Sequence, residues 1–268
     1  PTSITNNSTV SFTINNITSW TSSGSLSSRL QKNTTNSSSG NSIKRTTEGI
    51  HFNSEYTNQS LNPGGATEYL QWKTTIPFNV YSIFVVLTPT VNINSSSSYR
   101  NTSFTFVNES DNSQGRNIVI GLGEWTSNLN PKQELVYLHN WPSDGSLSGF
   151  FTAHTGNQLN ANDRILLNFN YNSSTNKYNC YKNGVNQTGG DFQYWEELVS
   201  PSKLISMDTI TLGALGPRYE NGVVQYFCNN IIISDLIIYN TSVTASTIIN
   251  TNDYLKYKWD IGTNSNTT

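Results

Sequence analysis

Charge is scarce in this chain: of 268 residues, 15 are Lys or Arg and 17 are Asp or Glu, giving a formal net charge of −2. No basic run exceeds the pair Lys44-Arg45, so the electrostatic footprint of a phosphate backbone is missing and nucleic acid is not an expected partner. Cysteine is scarcer still. Two residues, Cys180 and Cys228, cannot build a disulfide framework, and they read either as small buried hydrophobes on neighbouring strands or as one bridge. Neither has a Cys-x-x-Cys partner or a nearby histidine, which removes the usual metal-ligand spacings. Long apolar runs are lacking too: the stretches 80–87 and 231–239 are each interrupted by a polar residue, short of the ~18 apolar residues that a spanning helix needs. The chain opens on Pro1 with no leader-like segment, and reads as the start of a processed or excised piece.

Asparagine is abundant, with 38 residues beside many Ser and Thr, while 12% of the chain is aromatic and 34% hydrophobic. Such low charge is unlike the highly charged kind of disorder, and the aromatics suffice for a core dressed in amides and hydroxyls. A chain of this length fits one large all-β domain. Residues 1–16 alternate weakly at Val10, Phe12 and Ile14 and predict an edge strand leading into the domain, which occupies 17–261 ahead of a flexible tail, 262–268. Ser19 to Asn41 reads as a long irregular surface segment. Strand patterns then recur at Ile43 to Phe52, Tyr69 to Lys73, Val80 to Thr90, Ser103 to Asn108, Asn117 to Trp125, Glu134 to Trp141, Gly149 to His154 and Arg164 to Tyr171. Close spacing without helices between them predicts an antiparallel sandwich. Asn183-Gly184 supplies a type I′ hairpin turn.

Val223 to Tyr239 is mostly β-branched or aromatic and reads as one long central strand. After it, Thr244 is placed to cap a helix over 245–258 that carries Ile248, Leu255 and Trp259 on one face. The expected core includes Phe84, Val86, Leu167, Phe169, Ile232, Leu236 and Ile238.

Catalytic patterns are incomplete. Glu109-Ser110-Asp111 matches half of a glucan-hydrolase motif, but Ser113 and Gln114 stand where its second glutamate belongs, and glycoside hydrolysis needs two facing carboxylates. The histidines, His51, His139 and His154, have no nucleophile elbow beside them; His139 and His154 fall on what read as adjacent strands. Trp125, Trp141, Trp195 and Tyr219 lie at strand ends or in loops beside Asn, Asp or Glu, where a ring can meet the apolar face of a sugar or else plug the end of the core. Trp20, Trp72 and Trp259 read as packing residues. Thirteen Asn-x-Ser/Thr sequons are present, a number that composition alone can generate.

The C-terminal run from Leu212-Gly213-Ala214 through Ile231 to Asn240 and on to Tyr254-Leu255-Lys256-Tyr257-Lys258-Trp259 resembles the ending of laminin-G-like, concanavalin A-like jelly-roll domains. Ser19-Trp20 with Ser23-Gly24, Gly49 to Phe52, Pro77 to Thr90 and Tyr181 to Val185 resemble further elements of that family in the same order. The Asn/Ser/Thr-rich style resembles such domains in large DNA viruses of protists. This resemblance implies an all-β, two-sheet antiparallel jelly roll with one short C-terminal helix. It further suggests a calcium ion at a loop rim, with Asn140 and Asp144 in one segment and Asp208 in another as candidate oxygen donors. The functional expectation is a non-enzymatic surface module that binds glycans or glycoproteins through Trp125, Trp141, Asp144, Trp195 and Tyr219, outside a cell or on a virion, as a homo-oligomer or part of a larger assembly. A capsid or fibre component without a pocket, and an atypical glycosidase, are the alternatives.

Overall fold

The computed structural model describes residues 8–11, 19–22, 29–34, 43–52, 68–90, 101–107, 117–122, 135–140, 150–154, 160–175, 177–186, 204–218, 223–227 and 231–262. Its first half holds β1 (Ser8–Ser11), β2 (Ser19–Ser22), β3 (Arg29–Thr34), β4 (Ile43–Thr46), β5 (Gly49–Phe52), β6 (Glu68–Val80), β7 (Ser82–Pro89), β8 (Asn101–Val107) and β9 (Asn117–Leu122). Then come β10 (Leu135–Asn140), β11 (Phe150–His154), β12 (Ile165–Asn172), β13 (Lys177–Lys182), β14 (Val185–Asn186), β15 (Ile205–Leu212) and β16 (Ala214–Arg218). β17 (Val223–Phe227), β18 (Ile231–Tyr239) and α1 (Ala245–Trp259) complete the order. Among the described residues all pairings are antiparallel, as the close strand spacing predicts.

One sheet runs β4-β5-β18-β7-β12-β13-β14 and the other β11-β10-β9-β8-β15-β6-β3-β2, with β1 hydrogen-bonded to β18 at Ser8 and Thr9 and to β2 at Val10 and Ser11. The expected N-terminal edge strand is therefore paired on both sides and stitches the sheets together. Its weak alternation hid this, because a strand that changes sheets in four residues never presents one consistent face. The segment expected to be irregular, Ser19 to Asn41, contributes β2 and β3; its Ser and Thr residues lower the apolar signal without preventing pairing. The predicted long strand from Val223 to Tyr239 is two elements: β17 pairs with β16 in a separate ribbon, and only β18 enters the main sheet.

Between the sheets, Ile50, Phe52, Ile83, Val85, Leu87, Leu167, Phe169, Leu236 and Ile238 pack against Leu70, Val80, Met207 and Leu212 from the second sheet. β18 reaches this core by a change of phase. Ile231 and Ile233 face it before a register irregularity between Ile233 and Asp235, and Leu236 and Ile238 face it afterwards. Ser234 is the extra residue of this bulge, which moves the side chains that follow it onto the opposite phase. Gly49 makes the bulge possible. Its φ of 143° and the Ile233 carbonyl pressed against it leave no room for a Cβ. Gly213, at φ 82°, likewise lies against the Phe52 ring. All seven expected core residues are buried, but not in one layer: Leu167, Phe169, Leu236 and Ile238 lie between the sheets, and Phe84 and Val86 lie under the helix with Leu166, Ile237 and Tyr239. Since Leu236 is 1% exposed among inter-sheet side chains, Leu236→Ala should cost ~2–5 kcal/mol in chemical unfolding; a loss below about 0.5 kcal/mol would place it outside the packed layer.

The helix begins where the sequence places it. Thr244 accepts the Thr247 amide at 3.2 Å, and Asp260, at φ 52°, closes the other end by donating to the Lys256 and Tyr257 carbonyls. Leu255 is buried, Ile248 and Trp259 pack beside it, and Thr251 meets the Tyr239 hydroxyl at 2.8 Å. A second set of contacts holds the C-terminal turn. Lys258 bonds the buried Asp235 carboxylate at 2.7 Å, and the Trp259 indole N–H donates to the same oxygen. On its other side, Arg164 lies 5.1 Å from the Trp259 ring centre and donates to the Trp259 carbonyl at 2.8 Å. Burial raises the Tyr239 hydroxyl above its ordinary 10.0, and the Thr251 bond offsets part of that shift. With the folded value raised, the neutral phenol's contribution is complete below the ordinary value and is lost as pH climbs through the folded one. Thermal melts should therefore decline more steeply above about pH 10 in the native chain than in Tyr239→Phe; identical pH profiles would show that this hydroxyl is not linked to folding.

Candidate functional site

Several expected site residues, Trp125, Trp141, Asp144, Trp195 and Tyr219, lie outside the described residues, as do Cys228 and the half-motif Glu109 to Asp111. Cys180 is placed on β13 opposite Phe169. Asn140 ends β10 opposite Ile118, whereas Asp208 lies on β15. With β9 and β8 between them in the sheet, the two are three strand steps apart, about 14 Å at ~4.8 Å per step. Calcium ligands lie ~2.3–2.6 Å from the ion, so one ion does not take both side chains. His139 and His154 do fall on adjacent strands, but His154 pairs with Leu135 while His139 pairs with Phe150. Four positions of strand separate them by about 13 Å, and they do not form a two-histidine site. Among the described residues no cluster of three metal-ligating side chains occurs.

Asp208 marks a different feature. Along β15 the pairing with β6 jumps: Met207 is opposite Phe78 and Thr209 is opposite Lys73, so 74–77 bulge out of β6. Thr74 fastens the bulge through its hydroxyl, which accepts the Ile76 amide at 3.3 Å. Proline at 77 and the displaced segment blunt the strand at a margin where, among the described residues, β6 beyond Gln71 pairs only with β15. On the face away from the inter-sheet core, Thr209 and Thr211 are buried, Gln71 is half-buried, and Lys73 is exposed. The Gln71 carboxamide donates to the Thr211 hydroxyl at 3.3 Å, and the Thr209 hydroxyl donates to Asp208 at 3.0 Å.

The same bulge carries apolar surface. Trp72 and Phe78 pack against the core but remain partly exposed, with ring centres 5.6 Å apart, and Ile76 is 76% exposed. The packing expected for Trp72 is thus present, together with exposure that the sequence pattern did not disclose. The two faces of this margin differ: Trp72 and Phe78 lie on the core side and Gln71 and Lys73 on the other, while Asp208, Thr209 and Thr211 are buried, so the groups it presents are Gln71, Lys73, Ile76 and the partly exposed rings. Gln71 and Lys73 offer hydrogen-bonding groups to a polyhydroxylated ligand, and Ile76 with the exposed parts of Trp72 and Phe78 offers apolar surface. Sequence reasoning missed it because the decisive signal is the Met207–Thr209 register jump, which no residue type announces.

The sequence matches no family model and none of the curated proteins. Solved structures do match. A mutant of HCR/D aligns with a TM-score of 0.52 at 11% identity, over 93% of this chain and 51% of its own. The family 40 carbohydrate-binding module of a Ruminococcus gnavus IT-sialidase, bound to α2,3-sialyllactose, aligns at 0.41 and 14% identity over 65% of this chain and 83% of its own. Trypanosoma rangeli sialidase, in complex with the inhibitor DANA, aligns at 0.47 and 10% identity, over 94% of this chain. The chain spans about a third of that sialidase's length and about half of HCR/D. The HCR/D alignment supports a shared all-β sandwich fold.

Proposed function

We propose that this chain is a non-enzymatic binding module that recognises glycans or glycoproteins on a cell or particle surface, and that the β6 bulge contributes to the contact. The observation behind this reading is the bulge itself, which leaves Ile76 and Lys73 exposed and Gln71, Trp72 and Phe78 partly exposed along one short margin, with Gln71 held by the buried Thr211. Sugars present hydroxyls and C–H faces together, and this margin has groups for both. The fold supports the reading only as a scaffold, since sandwiches of this kind carry unrelated functions. An extracellular or virion setting belongs to the proposal as the place where such ligands are met.

A glycan array probed with the full chain, with and without chelator, tests the reading. Binding to a glycan class is expected, and an array without binding contradicts it. Gln71→Ala should weaken the bound glycan about 2- to 10-fold, the range for one hydrogen bond of ~0.5–1.5 kcal/mol. Tyr257→Ala, which removes a ring 89% exposed on the helix, should leave affinity unchanged. Equal affinity in Gln71→Ala and the native chain would move the contact away from the bulge. Release of reducing sugar by the chain, lost in Asp208→Asn, would replace binding with turnover.

A further inference from the structure

Two of the thirteen sequons, Asn172-Ser173-Ser174 at the end of β12 and Asn240-Thr241-Ser242 just after β18, run into turns or bends among the described residues with their hydroxyl-bearing positions exposed. They sit at the same end of the first sheet. Tyr81 donates its amide to the Tyr239 carbonyl, and Tyr171 donates to the Tyr81 carbonyl, so the chain leaves this row toward Asn240 on one side and Asn172 on the other. At Asn172 the side-chain oxygen accepts both the Ser174 amide, at 3.0 Å, and the Ser174 hydroxyl, at 2.6 Å. That arrangement occupies the oxygen, polarises the carboxamide and leaves its nitrogen without a partner among the described residues. Asn240 is exposed, and its carboxamide likewise makes no bond there.

We infer that Asn172 and Asn240 are acceptor sites for N-linked glycans, taking the sugar from a lipid-linked oligosaccharide diphosphate. In the transfer the carboxamide nitrogen forms a bond to the sugar C1 as the C1–O bond to the diphosphate breaks. The lipid diphosphate leaves with the electron pair, and the amide proton passes to a base of the transferase. The folded chain accommodates both products, because Asn240 is exposed, Asn172 is only half-buried at the end of β12 beside an exposed turn, and neither carboxamide nitrogen is bonded among the described residues. Tyr81 and Tyr171, half-exposed with ring centres 6.2 Å apart, stand in the row between the two acceptors and offer ring surface to the innermost sugars. Both sites lie on the first sheet, apart from the β6 bulge on the second, so the inference stands independently of glycan recognition.

The test is to translate the full chain behind a cleavable leader into microsomal membranes, take the protease-protected product, and release glycans enzymatically in heavy-oxygen water. Both Asn172 and Asn240 should carry the isotopic mark. Asn172→Gln and Asn240→Gln should each lose one glycan, and Ser174→Ala should lose the mark at Asn172 while keeping it at Asn240. A protected chain in which either asparagine is unmarked overturns the assignment, as does retention of the Asn172 glycan in Ser174→Ala.

Discussion

A single strand buried on both faces holds this molecule together. β18 pairs with β7 along its length, takes β5 at one end and β1 at the other, and presents one face to the second sheet and one to the helix. The Ser234 bulge is what lets one sequence serve both faces: an uninterrupted ladder would have sent Leu236 and Ile238 toward the helix and turned the Asp235 carboxylate, with Ile237 and Tyr239, into the inter-sheet core. Gly49 is fixed by the same requirement.

The helix is the second consequence. Its apolar stripe is narrow, and on its own a helix of this length is marginal in water. It is held by Leu255 in the outer layer and by the Asp235, Lys258 and Trp259 contacts. Asp235 follows the bulge directly, so the phase change that completes the core also presents a buried carboxylate to the helix end. A buried carboxylate needs compensation of this kind, and here one ammonium and one indole N–H supply it.

Much of the scaffold was legible in the residues. β7, β12 and the capped helix carry strong local signals, in β-branched runs, turn residues and the Thr244 cap, and Asn183-Gly184 adopts the positive φ values that a type I′ turn requires. Three features were not legible. β1 changes sheets, β17 and β18 divide a stretch that is mostly β-branched or aromatic, and β6 bulges opposite Asp208; each depends on pairing with a partner strand elsewhere in the chain. The same holds for the site. Asn140 and Asp208 share a residue chemistry suited to calcium yet sit three strands apart, while Trp72, assigned to packing, flanks the polar margin.

Native-state hydrogen exchange tests the role of β18 most directly. The amides of Leu236, Ile237 and their β7 partners Val85 and Phe84 should exchange only through global unfolding, at the free energy obtained from denaturant melts, while the ends of β6 and β14 open at lower cost. Exchange of the Leu236 and Ile237 amides by local opening, while Leu70 and Leu212 of the second sheet remain protected to the global limit, would show that the second sheet folds without β18 and would contradict its place at the centre of the structure.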